Sequence, residues 1–217
     1  DHVFVPRAQV DAFAKHAAQI VPQRYPRLDS PDYTSIVDQR SFDRLVGAMD
    51  DARSRGATLI NLIDSGPAHD RASRKIAPHV VLNAPWDSEL LTREIFGPIL
   101  PVVAYDTLDE VIARINSGPR PLALYPFSHD HARIERLLTQ VMSGGVSIND
   151  ALFHVGQHDL PFGGIGDSGM GHYHGREGFE TFSKLRPIFH QARLSSVGLL
   201  APPYGRLAER MLAFLMR

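Results

Sequence analysis

The sequence predicts an α/β fold, with a mostly parallel sheet and helices on both faces of the sheet. Strand-like and helix-like segments alternate regularly across residues 99–149, an order that right-handed parallel crossovers produce. The first of these segments, Ile99–Tyr105, is almost continuously apolar, as expected of a strand that is covered on both faces. Apolar residues at helical spacing earlier in the chain supply the covering helices.

The N-terminal part of the chain is predicted to contain one strand and one helix. Residues 2–5 form a short apolar strand, and residues 10–21 place apolar side chains at helical spacing. Pro22 is predicted to end this helix, because proline has no N–H for the helical hydrogen bonds. Residues 23–33 contain several Pro and Asp residues and indicate an irregular surface connection.

The next helix has the most regular pattern of the first half. Apolar side chains recur at helical spacing across residues 42–49, with Ser41 as the predicted N-cap and Gly56 as the predicted stop. Two strands are then predicted, at residues 58–63 and 79–82.

The second half continues the alternation after Ile99–Tyr105. Helices are predicted around residues 108–115 and 134–141, and strands at residues 122–127 and 145–149. Ligands of open α/β sheets bind outside the carboxyl ends of the strands. The loops that follow these strands are therefore candidate positions for chemistry.

The C-terminal region breaks the pattern. A glycine-rich loop at residues 161–175 is followed by a short amphipathic segment through Phe182 and a predicted strand at residues 185–190. An A-P-P-Y-G turn at residues 201–205 then leads to a predicted final helix across residues 207–215, whose apolar face needs a partner surface.

Composition excludes several classes of protein. The 23 Lys plus Arg nearly balance 24 Asp plus Glu, so no strong field favours nucleic acid or an anionic membrane. With no cysteine, these residues supply no disulfide, thiolate metal ligand or cysteine nucleophile. No apolar run approaches the roughly 20 residues of a membrane span. A cytoplasmic protein is predicted, and the first residues, with neither Met nor a signal peptide, indicate an internal cut.

The stretch R-E-I-F-G-P at residues 93–98 combines groups that suit a cofactor site. The Glu94 carboxylate can accept hydrogen bonds from sugar hydroxyls, and the Phe96 ring can present an apolar face to a flat ring. Gly97 and Pro98 turn the backbone sharply. A strand lead-in with a buried phenylalanine is the alternative interpretation of so short a motif.

The glycine-rich loop contains two motifs that its context argues against. G-I-G-D-S-G at residues 164–169 matches the dinucleotide-binding fingerprint, but Pro161 precedes it closely and Met170-Gly171 follows, so neither the required strand nor the required helix is predicted. G-D-S-G resembles the nucleophile loop of trypsin-like proteases, which are all-β, and Ser168 lacks a positioned histidine base. A tight loop with unusual backbone conformations is the prediction.

Three histidine pairs are candidate metal ligands. Zinc sites normally have three or four ligands, and His172/His174 lies in a glycine loop without a nearby carboxylate at ligand spacing, so no metal site is predicted. The pairs are His129/His131, His154/His158 and His172/His174.

Taken together, four motifs resemble the aldehyde dehydrogenase superfamily in order and spacing. They are R-E-I-F-G-P at 93–98, P-L-A-L-Y at 121–125, S-G-G-V-S-I-N-D at 143–150 and P-F-G-G-I-G-D-S-G-M-G-H-Y-H-G at 161–175. H-Y-H-G-R-E-G-F at 172–179 and A-P-P-Y-G-R-L at 201–207 are most similar to the class 3 branch and its coniferyl aldehyde dehydrogenases. The resemblance covers essentially this whole chain but only the C-terminal part of a family member.

The resemblance implies site residues and partners. The family's ribose-binding glutamate falls on Glu94, and its phenylalanine beside the nicotinamide of NAD or NADP falls on Phe96. Phe162 falls on a phenylalanine that lines the aldehyde channel, and His154 falls on the loop near the channel mouth. The substrate would be an aromatic or other apolar aldehyde. The family's cysteine and glutamate base would lie upstream of Asp1, so these residues alone are expected to be inactive.

The resemblance also implies a division of the chain. Residues 1–183 would be a catalytic-domain portion, incomplete at its N-terminus, and residues 184–217 an oligomerisation-type strand and tail of a homodimer. A non-enzymatic assembly module is the alternative function, and a serine hydrolase using Ser168 is a third. The sequence leaves open the identity of the aldehyde and the choice between NAD and NADP.

Overall fold

The computed structural model describes residues 1–63, 66–194, 198, 202 and 204–216. Its strands are β1 (Val3–Pro6), β2 (Thr58–Asn61), β3 (His69–Asp70), β4 (Lys75–Ile76), β5 (His79–Leu82), β6 (Ile99–Tyr105), β7 (Ala123–Leu124) and β8 (Gly145–Val146). Its helices are α1 (Val10–Arg24), α2 (Gln39–Ser54), α3 (Glu89–Thr92), α4 (Leu108–Asn116), α5 (His131–Gln140), α6 (Gly175–Thr181) and α7 (Arg206–Leu215).

A four-stranded sheet in the order β1-β6-β5-β2 forms the centre of the fold. β6 pairs in parallel with β1 on one side and with β5 on the other. β2 joins β5 antiparallel. The sheet is therefore mostly parallel, which confirms that part of the predicted fold class.

Helices cover both faces of this sheet. Val80 and Val81 are neighbours in β5, and successive strand residues point to opposite faces. Val80 packs in a core cluster with Ala14 of α1, whereas Val81 packs in a second cluster with Leu45 of α2. The prediction of helices on both faces is confirmed.

A second, smaller sheet contains β7 and β8. These strands pair in parallel across the crossover helix α5, as predicted, but β6 belongs to the other sheet, so the prediction of one continuous series was wrong at that step. The pair is also shorter than predicted. Pro126 has no N–H to donate, so two-way pairing ends before it, although Asn149 N–H still donates to Pro126 O at 2.8 Å.

Two helix boundaries differ from the prediction. α1 continues through Pro22 to Arg24, because the proline falls in the last turn and interrupts little of the remaining helix. α2 begins three residues before its predicted first turn: the Asp38 carboxylate is the N-cap and accepts from Ser41 N–H at 2.7 Å. That hydrogen bond is the main cause that lowers the pKa of Asp38.

The predicted strand at residues 185–190 has no regular secondary structure. A strand requires a partner edge, and no described segment pairs with these residues. Leu185, Ile188 and Phe189 are 71%, 64% and 85% exposed.

The predicted turn at residues 201–205 lies partly outside the described residues. Among the described residues, no helix combines the length and apolar character needed to cross a bilayer.

Candidate functional site

The stretch between α3 and β6 directs two side chains outward from a buried anchor. Ile95 is 2% exposed and belongs to the core cluster on the α2 face of the sheet. Its neighbours Glu94 and Phe96 are exposed. Burial of the central isoleucine therefore leaves the carboxylate and the aromatic ring on the surface, as the proposed cofactor role requires.

Both backbone polar groups of Ile95 are held by charged side chains. Its N–H donates to Asp1 Oδ2 at 2.6 Å. Its carbonyl accepts from Arg44 Nη2 at 2.7 Å. A buried peptide group without such partners would be costly, so these contacts stabilise the conformation of this stretch.

Phe96 has a strained backbone and an unusually exposed ring. Its φ is +52°, a region that non-glycine residues rarely adopt, and such strain costs about 1–3 kcal/mol. The side chain is 73% exposed. A Cβ on the next residue, Gly97, would lie 2.6 Å from Leu45 Cδ1, so glycine permits this close approach to α2. The surroundings thus hold an aromatic ring out from the surface.

An open cleft of about 490 Å³ lies beside this stretch. Glu94 and Phe96 line it together with mostly apolar residues, among them Val21, Leu62 and Pro98. Within the described part of the chain, the carboxylate of Glu94 accepts no hydrogen bond. The cleft therefore offers a carboxylate with no hydrogen-bond donor among the described residues, next to an apolar wall and an exposed ring.

His79 also lines the cleft and is a buried neutral base. Its side chain is 3% exposed, and Nδ1 lies 2.6 Å from Ala77 O. Burial is the main cause that lowers the pKa of His79, because it disfavours the charged imidazolium. The contact with Ala77 O indicates that Nδ1 carries the proton of the neutral ring.

We expect this histidine to make folding pH-dependent. Below the unfolded value of about 6.5 the unfolded chain binds a proton that folded His79 resists, so stability falls as the pH falls. The slope from one group reaches at most about 1.4 kcal/mol per pH unit. Urea unfolding would be measured for the wild type and His79→Asn from about pH 7.5 to about pH 5. The free energies of unfolding of the two proteins should converge as the pH falls.

Replacement of an exposed histidine provides the control. His16→Asn changes an exposed residue of α1 and should leave the pH profile of the wild type unchanged. Parallel profiles for the wild type and His79→Asn would contradict the expectation.

His154 and Phe162 lie together in a separate aromatic cluster. Their ring centroids are 5.7 Å apart, and Tyr125 lies 5.8 Å from His154. His154 is 9% exposed, and its Nδ1 lies 3.0 Å from Ser147 Oγ. The other ring nitrogen, Nε2, is buried without a partner among the described residues. Phe162 is half-buried and is more accessible than His154.

The glycine-rich loop is folded back tightly on itself. A Cβ on Gly164 would lie 2.1 Å from Ser168 O, and a Cβ on Gly163 would lie 2.0 Å from Gly171 O. The short 3-10 helix Gly166–Ser168 is the only helical turn that the described loop contains before α6, so the interpretation as a tight loop rather than a dinucleotide fingerprint is confirmed. Ser168 Oγ donates to Ile165 O at 3.1 Å, and no described histidine contacts it.

The candidate histidine pairs belong to no larger group of potential metal ligands in the described part of the chain. No group of three or more His, Cys, Asp or Glu residues there could hold a metal ion. The structure instead brings the rings of His158 and His174 to within 5.5 Å of each other.

Comparison with known proteins identifies the family. Residues 2–188 match the description "Aldehyde dehydrogenase family". The chain belongs to the aldehyde dehydrogenase family. The resemblance inferred from the four sequence motifs is therefore confirmed.

Curated relatives include coniferyl aldehyde dehydrogenases. The chain is 45% identical over 212 residues to a probable coniferyl aldehyde dehydrogenase of Pseudomonas aeruginosa, covering 97% of this chain and 44% of that protein. It is 40% identical to the coniferyl aldehyde dehydrogenase of Pseudomonas sp. strain HR199, covering 100% of this chain and 46% of that protein. This aldehyde dehydrogenase chain thus spans less than half the length of these relatives.

Solved aldehyde dehydrogenase structures share the fold. A substrate-bound AldH of Staphylococcus aureus matches with a TM-score of 0.80 and 36% identity, covering 99% of this chain and 46% of that one. A point mutant of betaine aldehyde dehydrogenase from the same organism, solved in complex with NAD+, matches with a TM-score of 0.70 and 25% identity, covering 83% of this chain and 37% of that one.

The predicted site residues of this aldehyde dehydrogenase chain form two pairs. Glu94 and Phe96 share the cleft, and His154 and Phe162 share the aromatic cluster. Within the described ranges, no hydrogen bond or ring contact joins one pair to the other.

The sequence interpretation missed the roles of Asp1 and Arg44. Arg44 lies on an amphipathic helix whose charged residues indicate a solvated face. Asp1 is far from Ile95 in sequence. Only the folded backbone brings these three residues together.

Proposed function

We propose that these residues form part of the active site of an NAD(P)-dependent aldehyde dehydrogenase. The parent protein would oxidise an aromatic or other apolar aldehyde, similar to coniferyl aldehyde, to the carboxylic acid. The observation that carries this proposal is the Glu94 carboxylate, which accepts no hydrogen bond within the described chain, beside the exposed, strained Phe96 ring at the edge of an apolar cleft. Family membership and the coniferyl aldehyde dehydrogenase relatives support it.

Glu94 and Phe96 fit the ribose and nicotinamide ends of NAD or NADP. A carboxylate that accepts no hydrogen bond within the described chain can accept from two ribose hydroxyls, and a protruding ring can pack against a flat heterocycle. When bound, the cofactor would accept the hydride that the substrate loses. In this proposal Glu94 orients the ribose, and Phe96 limits the position of the nicotinamide and excludes water from one side.

Phe162 and His154 are proposed to form part of the aldehyde channel. Phe162 is half-buried and can present an apolar face to a conjugated aldehyde. His154 has little exposed surface, and its Nδ1 is engaged with Ser147. Its contribution would therefore pass through its ring contact with Phe162.

The division into residues 1–183 and 184–217 is proposed to separate catalysis from assembly. The segment that contains Leu185, Ile188 and Phe189 exposes apolar side chains without a strand partner in the described chain. A homodimer in which this segment adds to a sheet edge of a second copy would bury them.

The proposal predicts activity for the full-length protein and none for the 217 residues alone. The parent should produce NADH or NADPH from an aromatic aldehyde, measured by the absorbance of the reduced cofactor. The purified 217-residue chain should produce none, because it contains no cysteine to form a covalent adduct with the aldehyde. Cofactor reduction by the isolated chain would contradict this prediction, and an inactive parent would contradict the proposed function.

A non-enzymatic assembly module is the second candidate. The exposed apolar residues of the 185–190 segment and of α7, such as Phe214 at 79% exposure, favour it. Light scattering and a nucleotide-binding titration separate the candidates. A stable dimer of the parent that binds neither NAD nor NADP would favour the assembly module.

A further inference from the structure

We propose that Arg44 and Asp1 are positioning residues that clamp the backbone of Ile95, one through its carbonyl and the other through its N–H, and so fix Glu94 and Phe96. The inference rests on the proposed cofactor role of those two side chains. It concerns residues that neither touch the proposed cofactor nor belong to the sequence motif. Arg44 and Asp1 would act on the site entirely through the backbone of one buried residue, Ile95.

Arg44 lies on α2 and makes two hydrogen bonds, one to the backbone of the site and one to α3. Its guanidinium donates from Nη2 to Ile95 O at 2.7 Å and from Nη1 to Glu89 Oε1 at 3.2 Å. The side chain is only 18% exposed, so water competes weakly for these hydrogen bonds. The planar guanidinium can make both contacts at once, whereas a lysine ammonium is a compact point charge and does not reproduce this geometry.

Asp1 holds the N–H of the same residue. Its Oδ2 accepts from Ile95 N–H at 2.6 Å, the short distance expected of a charge-assisted hydrogen bond. Two residues later β1 begins, and its register with β6 pairs Val3 with Val102. Asp1 is therefore placed by the central sheet, as Arg44 is placed by α2.

The clamp matters because nothing else in the described chain fixes the flanking side chains by hydrogen bonds. Glu94 accepts none, and Phe96 lies beyond the clamp with a strained φ of +52°. Strained residues persist only when their surroundings over-determine the conformation. Loss of either contact would let the stretch relax and would move both the carboxylate and the ring.

The test uses the full-length protein with Arg44→Met, Arg44→Lys, Asp1→Ala and Asp1→Asn. We expect Arg44→Met and Asp1→Ala to raise the cofactor KM and Kd and to lower kcat, each about tenfold. Arg44→Lys should give an intermediate loss. Asp1→Asn should lose less than Asp1→Ala, because its amide oxygen still accepts from Ile95 N–H, although without the negative charge. The aldehyde KM should change little.

Arg53→Met is the matched control. Arg53 lies on the same helix in an exposed ion pair with Asp50, so its replacement should leave the kinetics unchanged. Hydrogen exchange at the amides of residues 95–97 gives a readout independent of activity. Exchange there should be fastest in Asp1→Ala and intermediate in Asp1→Asn.

The outcomes separate this inference from the proposed function. If Glu94→Gln weakens cofactor binding while Asp1→Ala and Arg44→Lys leave both cofactor binding and exchange unchanged, the clamp is overturned and the proposed function stands. If the wild type binds no NAD or NADP, the proposed function fails, and exchange alone then decides whether Ile95 is clamped. Unfolding of Arg44→Met would leave Asp1→Ala and Arg44→Lys as the deciding pair.

Discussion

Glu94→Gln in the full-length protein is expected to lower kcat/KM for the cofactor by about tenfold, and Glu94→Ala by up to about a hundredfold. A hydrogen bond to a charged group contributes about 1.5–3 kcal/mol, and about 1.4 kcal/mol corresponds to a factor of ten. Glutamine keeps one neutral acceptor, whereas alanine keeps none. Steady-state kinetics with the cofactor as the varied substrate, combined with single-turnover hydride transfer, would measure both effects.

Glu135→Gln is the appropriate control for this change. Glu135 is an exposed glutamate of α5, so the same loss of charge there should leave the kinetics unaltered. Unchanged kinetics for both Glu94 variants would remove Glu94 from the cofactor site.

Gly164→Ala is expected to have the largest structural effect on the aromatic cluster of His154 and Phe162. The added Cβ would lie 2.1 Å from Ser168 O and 2.2 Å from Ser168 C. Both are backbone atoms, so no side-chain rotation relieves the overlap, and the loop must move at a cost of about 1–3 kcal/mol. Because this loop carries Phe162, we expect the aldehyde KM to rise about tenfold, with a smaller effect on the cofactor KM.

Gly47→Ala provides the opposite case in a helix. An added Cβ at Gly47 of α2 meets no atom within 4 Å, so alanine should stabilise the helix by about 0.5–1 kcal/mol. Thermal unfolding of the two variants should therefore shift in opposite directions. A Gly164→Ala protein with the wild-type melting temperature and aldehyde KM would show that the loop is not constrained as described.

Local sequence patterns predicted those helices and strands whose buried residues recur at regular spacing along the chain. In α2, Phe42, Leu45 and Met49 are each at most 2% exposed, so the helical spacing of apolar residues directly reflects packing. Caps and strand pairing depend on particular partners instead. The N-cap of α2 is Asp38 and not the predicted Ser41. β6 and β7 belong to different sheets, because non-local contacts decide which strands pair.

The candidate site shows the same limit. The motif suggested Glu94 and Phe96 as site residues, and the structure shows that both line one cleft. The positive φ of Phe96 and the clamp on Ile95 arise from residues distant in sequence. No local propensity encodes them. The predicted strand at residues 185–190 has no strand partner in the described chain, because pairing requires an edge that the sequence of the segment does not itself supply.

Under the proposed cofactor role, the left-handed backbone at Phe96 sets stability against function at a single position. Glycine or asparagine adopts that conformation more readily than phenylalanine, so a laboratory selection for heat resistance alone would favour replacing the ring. Selection that also required turnover would retain the aromatic residue and accumulate compensating changes elsewhere. In directed evolution of the full-length protein, the residue retained at position 96 would therefore show whether selection acted on stability alone or also on turnover.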